Sequence, residues 1–131
     1  MSLERRLLEI DLLRKRYGNV EHGANIDWLL FKSFTLPHGW NRENTELLII
    51  IPPGYPITPP DNFYVLNGLR SIVDGAAQVP SNYSENQTIL GGSWAQFSYH
   101  AQIWNPAGDS LDGDNLLTFI LSVEKRFREL N

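Results

Sequence analysis

Ten residues, Pro52 to Asp61, limit what the rest of this chain can fold into. Five are prolines and one is glycine, so six of the ten cannot continue a helix or a central strand. An apolar run, Leu47-Leu48-Ile49-Ile50-Ile51, stops against Pro52-Pro53; Gly54-Tyr55-Pro56-Ile57 makes a turn, and Thr58 leads into Pro59-Pro60. Each proline also pushes the residue before it into extended backbone. The stretch predicts a rigid corner with Tyr55 aimed inward as an anchor.

The rest of the chain can be placed around that corner. Leu3, Leu7, Ile10, Leu13 and Tyr17 recur at helical spacing, with Ser2 available as N-cap and Gly18-Asn19 as a stop. Arg5, Glu9, Leu12 and Arg16 share another face, read as solvated or as a docking surface. Strands are expected over Asn19–His22, Ile26–Leu36, Thr45–Ile51 and Asn62–Leu66, giving a meander of about four. Asn67 to Asn86 reads as surface loop with short elements, and Leu90-Gly91-Gly92-Ser93 as another loop. Leu116, Phe119, Ile120, Val123 and Phe127 define a C-terminal helix, capped by Asp112 or Asp114. Helix, antiparallel strands, irregular stretch and helix make an α+β domain spanning residues 1–131.

Composition narrows the function. Eleven Lys and Arg against fifteen Asp and Glu give a net charge of −4, which argues against a general nucleic-acid partner. Basic residues gather at the two ends, around an acidic middle. There is no cysteine, so neither disulfides nor thiolate chemistry belong to this chain. No apolar run reaches the length of a membrane span, and a cytoplasmic address is the expectation. His22 and His38 read as turn residues, and no histidine or carboxylate spacing suits a metal. No phosphate-binding glycine loop is present, so no cofactor is expected.

One constellation carries potential chemistry: Trp94-Ala95-Gln96-Phe97-Ser98-Tyr99-His100, then Trp104-Asn105-Pro106. In extended backbone Ser98 and His100 project from one face, with Cβ atoms ~6–7 Å apart. A serine hydroxyl is a weak nucleophile that needs such a base. An imidazole bridges that gap only if it leans toward the serine or the backbone bends. Trp94 and Trp104 read as packing residues that fix the segment.

Taken together, these features resemble the ubiquitin-conjugating-enzyme (UBC) fold. Its YPxxPP corner is matched by Tyr55-Pro56-Ile57-Thr58-Pro59-Pro60, and its later W-x-P by Trp104-Asn105-Pro106. The family's thioester cysteine lies eight residues before that tryptophan, where this chain has Gln96; its His-Pro-Asn signature has only a poor partial match in Val79-Pro80-Ser81-Asn82. A bacterial branch, the prokaryotic UBC-like family E, is a closer likeness. It resembles this chain in Leu36-Pro37-His38-Gly39-Trp40-Asn41, Ile51-Pro52-Pro53-Gly54-Tyr55-Pro56 and Asp61-Asn62-Phe63-Tyr64, and in Phe97, Ser98, His100, Trp104 and Pro106.

The resemblance implies a ubiquitin-like protein and an activating enzyme as partners, with no nucleic acid and no membrane. It implies a serine-based transferase in which His100 takes the Ser98 proton and the hydroxyl accepts the C-terminal glycine of the ubiquitin-like protein as an oxyester. Tyr99, Asn105 or amides near Gly91-Gly92 would support the oxyanion. The family's first helix docks the activating enzyme, which makes Arg5, Arg14, Lys15 and Arg16 candidates here. Two other readings stand beside it: an inactive UBC-like module that only binds such partners, and replacement of a native cysteine, for example at Ser98.

Overall fold

A computed structural model describes residues 3–109 and 112–131. The elements are α1 (Leu3–Tyr17), β1 (Val20–His22), β2 (Trp28–Thr35), β3 (Asn44–Ile50), β4 (Phe63–Val65), β5 (Ser71–Val73), β6 (Ala76–Gln78), β7 (Tyr83–Ile89), β8 (Gly92–Phe97) and α2 (Leu116–Phe127). Six strands form one antiparallel sheet, ordered β1-β2-β3-β4-β8-β7, and β5 pairs with β6 alone. Strand residues alternate between faces, so a register fixes a continuous row. One such row is Val20, Phe31, Leu47, Val65 and Ala95, each opposite the next and each buried. Against this face α1 presents Ile10 and Leu13, and α2 presents Leu116, Phe119, Ile120, Val123 and Phe127, in one core. The chain thus has a UBC-like α+β architecture, with both helices on one face of the sheet. No helix among the described residues is long and apolar enough to cross a membrane.

Several boundaries and faces differ from the sequence expectation, each for a local reason. The sheet has six strands rather than four, because β7 and β8 add to its edge as a hairpin; the stretch expected to be loop also contains the separate β5-β6 hairpin. Leu90-Gly91 is the turn of a β7-β8 hairpin rather than a free loop; both residues take positive φ. The cap of α2 is Asn115, not Asp112 or Asp114. Its side chain accepts from Thr118 N, while the Thr118 hydroxyl side accepts from Asn115 N. Ser2, the expected cap of α1, lies outside the described residues. The buried stripe of α1 is Arg6, Glu9, Ile10 and Leu13, while Leu3 and Leu7 are half exposed. The helix is rotated from its apolar stripe because two buried polar side chains have partners waiting. Arg6 donates to Ile26 O at 2.7 Å; Glu9 meets the corner, as described below.

The stretch between β4 and β8 is ordered by a carboxylate rather than by an apolar stripe. Glu85 Oε2 accepts from Gly68 N at 2.6 Å, from the Tyr83 hydroxyl at 2.7 Å and from Arg70 Nη1 at 2.9 Å. The Arg70 guanidinium first, then the Tyr83 hydroxyl and the Gly68 amide, hold the Glu85 carboxyl down at about 2. A carboxyl depressed in the folded state stabilises it above the ordinary value of 4.5 and loses that contribution as pH falls toward about 2. Hydrogen-exchange protection of the Gly68 amide should therefore fall through that acid window. Glu85→Gln should lower it several-fold at neutral pH and flatten the acid dependence; equal protection in the two proteins would refute the staple.

Candidate active-site segment

The proline corner positions the candidate site from below. Tyr55 is buried, with the Tyr55–Pro56 bond cis. Its hydroxyl donates to the fully buried Glu9 carboxylate, which also accepts from Leu116 N at 2.7 Å and pairs with Arg5 Nε at 2.8 Å. One carboxylate therefore joins α1, the corner and the start of α2. Burial, then the hydrogen bond to Glu9, pushes the Tyr55 phenol well above its ordinary range, so it stays a donor. The Tyr55 ring lies 6.2 Å from that of Trp104, whose indole N–H donates to Pro56 O at 2.7 Å. Just beyond, Asn105 N donates to Asp114 Oδ2 and Asp114 N to Asn105 O, at 2.7 and 2.9 Å.

The segment's other end is held by the last residues of the corner. Asn62 takes the left-handed conformation (φ 61°), which asparagine tolerates better than most residues. There its N–H donates to Tyr99 O at 2.7 Å while its Oδ1 accepts from Tyr99 N at 3.0 Å. Ser98 N donates to Asn82 O at 2.8 Å. The Asp61 carboxylate contacts His100 Nδ1. The Tyr99 ring turns inward between Phe63 and Phe119, leaving Ser98 and His100 exposed on either side of it.

Ser98 and His100 line one cleft of about 400 Å³, with Asn82, Gln102, Arg126 and Glu129. They are not hydrogen-bonded to one another. Ser98 Oγ accepts from Gln96 Nε2 across a long 3.4 Å, and the imidazole turns to Asp61. Trp104 packs against Tyr55 and bonds to Pro56, and Asn105 is exposed with its backbone locked. Gly91-Gly92 cannot serve Ser98: they sit at the opposite end of β8, on the order of 20 Å away along the strand.

The basic residues of α1 also divide. Arg5 is withdrawn from any docking face, its side chain only 11% exposed between Glu9 and Ala107 O. Arg14, Lys15 and Arg16 remain exposed; Arg14 donates to Val20 O, and Arg16 reaches Glu124 at 3.3 Å. Sequence reasoning missed Asp61, Asn62 and Glu9. The available signals were an asparagine suited to a sharp reversal after the second diproline, and a carboxylate on the one helix that must meet Tyr55.

The family model described as Prokaryotic E2 family E matches residues 7–129, nearly the whole chain. The chain belongs to that family. No curated protein and no solved structure matches it. As a prokaryotic E2 of family E, the chain combines a UBC-like scaffold with a complete lack of cysteine. The position eight residues before Trp104 is occupied by Gln96, half-buried on β8, with its amide on Ser98 Oγ.

Proposed function

We propose that this family E protein carries a ubiquitin-like protein as an oxyester on Ser98, with His100 as general base, in a bacterial modification pathway supplied by an activating enzyme in the cytoplasm. The observation that carries the reading is the shared cleft: a hydroxyl and an imidazole, both open to solvent, on a segment fastened at both ends. An ester is a poorer acyl donor than a thioester, so onward transfer needs a donor for the oxyanion. Of the candidates named from the sequence, Asn105 is exposed on the locked stretch but does not line the Ser98 cleft, while the inward Tyr99 ring serves to hold the loop.

The second reading, a module that binds such partners without catalysis, is favoured by one observation: Ser98 Oγ rests on Gln96 rather than on His100. Catalytic hydrogen bonds are often loose before substrate arrives, which keeps the enzyme reading ahead. The two separate cleanly in vitro. The chain, incubated with the ubiquitin-like protein, an activating enzyme and ATP, should form an adduct that resists reductant and is cleaved by hydroxide. Ser98→Ala should abolish it. With an activating enzyme that demonstrably charges its own thiol, absence of the adduct establishes the binding module instead.

A further inference from the structure

The contact between Asp61 and His100 joins the end of the proline corner to the cleft that holds Ser98. A carboxylate can only accept, so the ring nitrogen it touches, Nδ1, must carry the proton. In a neutral imidazole the other nitrogen, Nε2, then bears the lone pair. A free neutral imidazole prefers the opposite arrangement, with the proton on Nε2, where it could not accept from a serine. We propose that Asp61 is the positioning residue of this site, selecting the His100 tautomer in which Nε2 is the base for Ser98.

The inference rests on the oxyester reading for its use, though not for its test. In the reaction, the Ser98 Oγ proton passes to His100 Nε2 as Oγ bonds to the carbonyl carbon of the activating enzyme's thioester. When the tetrahedral intermediate collapses, the carbon–sulfur bond breaks and His100 returns the proton to the departing thiolate. Asp61 keeps its charge throughout and stabilises the imidazolium in between. The long Gln96 contact yields the serine hydroxyl at little cost. A second carboxylate, Glu129, lines the same cleft without a hydrogen bond to the ring, which makes Glu129→Gln the matched control. Asp61 has no catalytic contact of its own and is 61% exposed, so its replacement leaves the core intact.

Nitrogen NMR of the His100 ring, at a pH where it is neutral, reads the tautomer directly. Wild type, Ser98→Ala and Glu129→Gln should show a protonated Nδ1 and a bare Nε2. Asp61→Ala should revert toward the Nε2–H form, as should Asp61→Asn, whose amide can donate to Nδ1, whereas Asp61→Glu, which keeps a carboxylate, should hold the wild-type form. Adduct formation should slow on the order of 10–100-fold in Asp61→Ala and Asp61→Asn with KM unchanged, and recover in Asp61→Glu. The same tautomer in wild type and Asp61→Ala would overturn the assignment even if the adduct forms. A tautomer switch without any adduct would sustain the assignment while removing the oxyester reading.

Discussion

Glu9→Ala should destabilise the protein by about 3–5 kcal/mol, the cost of breaking a buried, hydrogen-bonded charge pair. The carboxylate has no exposure and serves three donors: the Tyr55 hydroxyl, Leu116 N and Arg5 Nε. Each would be left facing a cavity, at about 1–3 kcal/mol for a buried group without a partner. Glu9→Gln keeps an oxygen for two of those donors and gives up the charge opposite Arg5, so about 1–2 kcal/mol is expected. Urea denaturation decides it: the midpoint should fall with the slope unchanged. A loss for Glu9→Ala within about 0.5 kcal/mol, as for a surface substitution, would mean that the three elements are not joined through this group.

Phe127→Ala should cost a similar amount, about 3–5 kcal/mol. Phe127 is fully buried in the last turn of α2, where its ring meets those of Phe34, Trp40, Phe63 and Phe97 at 5.4 to 6.0 Å. Its carbonyl also accepts from the Trp40 indole at 2.8 Å. Phe127→Leu refills part of the space and should cost roughly half as much. Thermal unfolding followed by near-ultraviolet circular dichroism should show the aromatic signal weakened in both before the transition. An unchanged midpoint for Phe127→Ala would mean that the cluster collapses around the gap without loss.

How much of this was legible follows from where the ordering forces come from. The stripe Leu116, Phe119, Ile120, Val123 and Phe127 was readable because a helix with a dry face writes its period into the sequence, and all five are buried. The corner was readable because proline acts on its own neighbours, and Tyr55 is buried as its setting implied. The α1 face was misread because hydropathy cannot show that Glu9 has a phenol and an amide waiting 46 and 107 residues away. The strand β7 was hidden for the same reason: Tyr83–Ile89 alternates exposed and half-buried positions without an apolar stripe, and its order comes from Glu85 and Gly68. At the site, sequence placed Ser98, His100 and Trp104 on one segment. It could not show that His100 answers to Asp61, 39 positions earlier.

The fastening of that segment has a mechanical consequence. One abutment is Ser98 to His100, tied to Asn82, Asn62 and Asp61; the other is Trp104 and Asn105, tied to Pro56 and Asp114. Between them stands a three-residue arch, Ala101, Gln102 and Ile103, with no hydrogen bond among the described residues and with Ile103 three-quarters exposed. Compliance in the segment is confined to that arch. A load applied there flexes the crown while the footings keep the hydroxyl and the imidazole in place.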